Sequence, residues 1–108
     1  MRIISVKRLR AFWEQNVGAR EALESWNAFM KENRFGHPNE LRTVFNHIDF
    51  IGDGVAIFNI KGNDYRLIVH IKYKWQVIFI LWIGTHTEYD RLTKDQIKKM
   101  KEPKNKKG

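Results

Sequence analysis

The chain has 108 residues, enough for one hydrophobic core but not two. It carries 20 Lys and Arg against 12 Asp and Glu, no cysteine, and seven Phe, four Trp and three Tyr, which bury much area per residue. This composition excludes a disulfide framework and a thiolate metal site, and no apolar run approaches the roughly 20 residues of a bilayer span.

The N-terminus, Met1-Arg2-Ile3-Ile4-Ser5-Val6-Lys7, lacks a signal-peptide stretch, so the expectation is a soluble, cytoplasmic protein with no membrane partner. The net charge of +8 is uneven. Residues 94–108 hold seven Lys against Asp95 and Glu102, whereas residues 1–93 hold 13 basic residues against 10 acidic ones. The reading is one domain over 1–93 and a basic, flexible tail over 94–108 that either meets a polyanion or is simply solvated.

Met1 to Ser5 is β-branched and short, a first strand, and Ser5 suits a helix N-cap. Leu9, Phe12 and Trp13 recur at helical spacing up to about residue 16, and Gly18 breaks the pattern. Ala22, Leu23, Trp26, Phe29 and Met30 form the clearest helical stripe, which belongs to a packed core and should stop near Asn33 to Gly36. Pro38 opens a short helix with Leu41, Val44 and Phe45. Asn46 to Gly54 reads as loop, closing on the turn Gly52-Asp53-Gly54.

Three strands follow: Val55 to Ile60, Asp64 to Tyr73 and Trp75 to Ile83. The first two are joined through Lys61-Gly62-Asn63, where Gly62 and Asn63 suit positive φ. Along the middle strand, Tyr65, Leu67, Val69, Ile71 and Tyr73 share one side, while Asp64, Arg66, Ile68, His70 and Lys72 share the other. A sheet covered by helices on one face, polar on the other, is an α+β two-layer domain.

The polar face offers chemistry. Arg66 and Lys72, with Lys61 and Lys74 nearby, suit phosphate, and Tyr73, Trp75 or Trp82 would stack bases if exposed. Beyond the last strand comes Gly84-Thr85-His86-Thr87-Glu88-Tyr89-Asp90, where His86 can exchange protons, Tyr89 can donate a hydrogen bond and Asp90 can orient His86 or cap a turn. His37, His47, His70 and His86 show no metal-ligand spacing, so no metal is expected.

Phe58-Asn59-Ile60-Lys61-Gly62-Asn63-Asp64-Tyr65-Arg66-Leu67, then Phe79-Ile80, then Gly84 to Asp90, resembles the HigB toxins, RelE-like members of type II toxin–antitoxin modules. The opening Met1-Arg2-Ile3-Ile4 and the Leu9/Phe12/Trp13 helix are also similar to that family, and the likeness spans about residues 1–92. It implies helices over a curved antiparallel sheet and a cofactor-free endoribonuclease that cuts mRNA on the ribosome by attack of a 2′-OH on the adjacent phosphate. It also implies a HigA-like antitoxin with a helix-turn-helix domain, through which the pair binds operator DNA. On that reading His86 transfers protons, Arg66 and Lys61 hold phosphate, Tyr89 supports them, and Lys72, Lys74, His70 and Tyr73 line the RNA path. The chain departs from the family pattern at Leu81, often Arg, and at His70, commonly Lys. The competing readings are a non-catalytic RNA- or partner-binding module and a weakened toxin acting mainly in operon control.

Overall fold

Apolar residues at helical spacing build the covering layer. A computed structural model, which describes residues 1–100, places strand β1 (Arg2–Ile4) before helix α1 (Val6–Gln15), and a single 3₁₀ turn at Val17–Ala19 leads into α2 (Arg20–Glu32). The α2 stripe buries Leu23, Trp26 and Met30; full burial of each such side chain stabilises by roughly 1.5–3 kcal/mol. The amino group of Met1 donates to the carbonyls of Met30 and Asn33 at 2.9 and 2.8 Å, satisfying acceptors that the end of α2 leaves open. Ser5 does stand at the N-cap of α1, but at φ 74° and with no side-chain capping bond, so it shapes the turn rather than capping the helix.

After α3 (Pro38–Arg42) the chain forms β2 (Ile48–Phe50), β3 (Val55–Ile60), β4 (Tyr65–Lys72) and β5 (Val77–Thr85), then α4 (His86–Asp90) and α5 (Lys94–Lys98). The sheet runs β1-β5-β4-β3-β2. Its meander is antiparallel, but β1 lies parallel to β5, with Ile3 opposite Ile78, so the sheet is mixed. The strand β2, read as loop from the sequence, is three residues long and pairs with β3, placing Asp49 opposite Ile57. In the β3–β4 turn the positive φ values fall at Lys61 (53°) and Gly62 (65°), one residue earlier than expected.

The alternation of β4 holds. Leu67, Val69 and Ile71 enter the main core with Leu9, Leu23, Trp26, Met30 and Phe58, and Tyr65 and Tyr73 pack at its border. The other face is less polar than its sequence suggests, because Ile57, Ile68 and Leu81 form a second cluster there with Ile97 of α5. Thus the stretch assigned to a basic tail opens with a helix, started by a capping box between Thr93 and Gln96. The rest of that tail, residues 101–108, lies outside the described residues.

A bulge sets the outer face. Ile68 pairs with Trp82 while Val69 pairs with Ile80, so Leu81 is the extra residue. Ile78 and Ile80 point toward the helices, Leu81 and Trp82 both turn to the second face, and Ile83 returns to the core side. Arg8 of α1 donates to the carbonyls of Ile80 and Leu81 at 3.1 and 3.0 Å, on the part of β5 beyond its pairing with β1.

Candidate active site at the end of the central hairpin

The paired ends of β4 and β5 carry the site. Arg66 stands opposite Gly84 and Tyr65 opposite Thr85. Strand β5 runs through Thr85, two residues beyond its expected end, and the His-Thr-Glu-Tyr-Asp segment is the short helix α4. Thr85 starts it: its hydroxyl accepts from the Glu88 N–H at 3.1 Å, and the Glu88 carboxylate accepts from the Thr85 N–H at 2.8 Å. The His86 N–H donates to the Asp64 carbonyl at 2.9 Å, which ties the start of α4 to the start of β4.

Arg66 is held from two sides. Its guanidinium donates to the Asn63 side-chain oxygen at 2.6 Å and to the Asn63 carbonyl at 3.2 Å, and it lies over the Tyr89 ring at 5.6 Å. A guanidinium has five N–H donors, so the fork keeps donors for a phosphate. Tyr89 and His86 sit three positions apart on α4, hence on neighbouring parts of one helix face.

His86 Nδ1 is covered and 3.2 Å from Asp90 Oδ2, an ion-pair distance when the ring is charged. Nδ1 makes no hydrogen bond, so Asp90 meets it as a charge neighbour only when the ring is protonated. The side chain as a whole is 42% exposed, so the ring is open to solvent although Nδ1 is covered. Burial, with the Asp49 carboxylate adding to it, pushes the Tyr89 hydroxyl above the ordinary tyrosine value; Arg66 pulls it down and Asp90 pushes it up. The raised value favours the neutral phenol, which can donate a hydrogen bond.

The other positions divide. Lys61 does not join Arg66: a Cβ built on Gly18 would lie 3.4 Å from Lys61 Nζ and 3.3 Å from the Tyr65 hydroxyl, so this ammonium rests against the 3₁₀ turn on the helical side. Tyr73 also faces the helical layer, packed at the border of the main core, where burial raises its pKa, and it does not share a face with Lys72. His70 and Lys72 are on the second face, both against Phe79, with centroid distances of 6.4 and 5.4 Å. Lys74 lies over the exposed Trp75 at 5.3 Å. Six residues of strand separate Arg66 from Lys72, roughly 20 Å at about 3.3 Å per residue, with the Ile68–Ile97 contact region between them.

Three contributors were not singled out from the sequence. Asn63 was read only as a turn residue, yet it fixes the guanidinium. Asp49 bears on Tyr89 from a strand too short to show a pattern, and Arg8, on α1, donates to two carbonyls of β5. Among the described residues, no group of three or more His, Cys, Asp or Glu is placed to hold a metal ion, and no helix is long and apolar enough to cross a membrane.

Two helices packed on one face of a small mixed sheet, with a short helix at the end of its central hairpin, make an α+β two-layer domain. Residues 19–92 match the family model for the HigB toxin, described as the RelE-like toxic component of a toxin–antitoxin system, and the chain belongs to that family. It is 33% identical over 75 residues to mRNA interferase HigB of Escherichia coli O6:H1 (strain CFT073), covering 68% of this chain and 73% of the relative. It is 27% identical over 95 residues to mRNA interferase toxin HigB of Escherichia coli K12, covering 86% and 91%; mRNA interferase HigB of Shigella flexneri matches with the same figures. Membership in a toxin–antitoxin family implies an antitoxin partner.

Proposed function

We propose that this protein is an mRNA interferase, a cytoplasmic endoribonuclease that cuts messages on the ribosome and is neutralised by a HigA-like helix-turn-helix antitoxin, through which the pair reaches its operator DNA. The observation that carries the chemistry is the convergence of Arg66 and Tyr89, at 5.6 Å, on the helix that His86 opens. The relatives named mRNA interferases support the reading.

The reaction is attack of a 2′-OH on the neighbouring phosphorus, with departure of the 5′-oxygen and formation of a 2′,3′-cyclic phosphate. Negative charge builds on the phosphoryl oxygens in the transition state. A guanidinium already fixed by Asn63 and Tyr89 stabilises that charge without reorganising, commonly the largest single contribution to such catalysis. His86 exchanges a proton, a role worth roughly 10²–10⁴-fold. Tyr89, as the neutral phenol, donates to a phosphoryl oxygen. No step requires a metal. Lys72, Lys74 and His70 lie far enough along the strand to meet RNA several nucleotides away rather than at the cut; Lys61 and Tyr73 face the helices and take no part.

Incubating the purified protein with a defined message, in the presence and absence of translating ribosomes, tests this. Ribosome-dependent fragments with 5′-hydroxyl ends are expected. A protein that binds the message but leaves it intact would overturn the reading in favour of a binding module.

A further inference from the structure

A recess adjoins Tyr89 beside α5. It has a volume of about 360 Å³ and is lined by Ile51, Ile57, Tyr89, Lys94, Ile97 and Lys98, a size within the range of small-ligand pockets. Its floor is aliphatic. Lys94 and Lys98 come from α5 one helical turn apart, about 6 Å of axial rise, with Ile97 between them on the same face. Tyr89 is shared: it walls this recess and also carries Arg66 above its ring.

We infer that this recess is a nucleotide subsite of the RNA track, where Lys94 and Lys98 hold backbone phosphates and the Ile51–Ile57–Ile97 wall with Tyr89 receives the base next to the phosphate engaged by Arg66. This rests on the nuclease reading and extends it to residues outside the matched family region, since α5 begins after residue 92. Charge selects the occupant. An apolar recess alone would suit many side chains, but one flanked by two ammonium groups, with a guanidinium across its tyrosine, complements a strand that alternates phosphate and base. Aliphatic and aromatic walls accept any base, because each has a π face. α5 is then not a solvated tail but the outer wall of the track, and Ile97 pins it in place.

The test is binding by the full chain to a nine-nucleotide, fully 2′-O-methylated RNA, which lacks the attacking hydroxyl and stays intact. Fluorescence anisotropy over a salt series should show Lys94→Gln/Lys98→Gln binding at least tenfold more weakly, with the slope of log K against log salt reduced by about 1.4, for two contacts at about 0.7 each. Lys7→Gln/Lys31→Gln, which removes two exposed lysines from the helical layer, should bind like wild type. Ile51 is 42% exposed, so Ile51→Ser leaves the fold intact; it should weaken binding of the oligonucleotide but not of inorganic polyphosphate.

The proposal is overturned if the α5 double variant binds within twofold of wild type, or if the Lys7/Lys31 control loses as much, since the lysines would then act only as general charge. It is also overturned if Ile51→Ser leaves oligonucleotide binding unchanged. Cleavage by wild type on translating ribosomes is scored separately. Binding that behaves as expected without cleavage would reject the nuclease reading and keep the subsite; cleavage by wild type with unaltered binding in the α5 variant would do the reverse.

Discussion

On its helical face the sheet buries Phe58, Leu67 and Ile80 with no exposed surface, beneath Leu9, Leu23, Trp26 and Met30; on the other it covers Ile57, Ile68 and Leu81 chiefly with Ile97 of a five-residue helix. The first face is continuous and apolar. The second is interrupted, with Arg66 and Tyr89 at one end and His70 and Lys72 at the other. The difference teaches where stability and chemistry reside. Close packing against two long helices fixes the hairpin, and that rigidity lets the opposite side hold half-solvated charged groups in register without having to bury them.

The comparison predicts separable losses. Arg66→Ala and His86→Ala should each lower message cleavage by roughly 10²-fold or more while leaving the melting temperature within a few degrees of wild type; cleavage assays beside thermal melts check both. Leu23→Ala, on the helical face, should cost about 2–5 kcal/mol in chemical denaturation. Ile97→Ala should cost less than that, because Ile97 is a border residue of a small cluster. If the Ile97 variant proves the more unstable, the division of labour between the faces is wrong.

Much of the helical face was readable. The stripe Ala22, Leu23, Trp26, Phe29 and Met30 has helical period, and it buries Leu23, Trp26 and Met30 as that period requires. The alternation of β4 likewise separates Leu67, Val69 and Ile71 from Arg66, His70 and Lys72. The bulge was not readable, because every residue from Val77 to Ile83 is apolar and a shift of parity leaves no trace in such a run. α5 was hidden for the opposite reason: one isoleucine among lysines gives no period, and its packing depends on a second-face cluster that the bulge creates. His86, Arg66 and Tyr89 are candidates on residue chemistry and family likeness, and the structure brings Arg66 against Tyr89. The positive φ at Lys61 was not readable, because composition alone favours Gly62 and Asn63.

Smaller effects sharpen the picture. Arg8→Met removes both donors from the bulge carbonyls and should cost about 2 kcal/mol in denaturation, with some loss of cleavage because the bulge aims Leu81 and Trp82 toward the second face. The smallest effect lies at high pH. Burial raises the Tyr73 pKa above its ordinary value of 10.0. Below pH 10 both folded and unfolded chains keep this proton, and its contribution is fully present. As pH rises from 10 toward the raised folded value, the unfolded chain ionises first, so stability falls. Denaturation between pH 9 and 11 should therefore show a shallower decline in Tyr73→Phe than in wild type.

The arrangement of Arg66, Tyr89 and His86 as a working nuclease is tested most directly by mapping 5′ ends of cellular transcripts after the protein is induced without its partner. Discrete new ends, in register with codons, should appear with wild type and disappear with folded Arg66→Ala and His86→Ala. The same ends persisting in both variants would contradict the account.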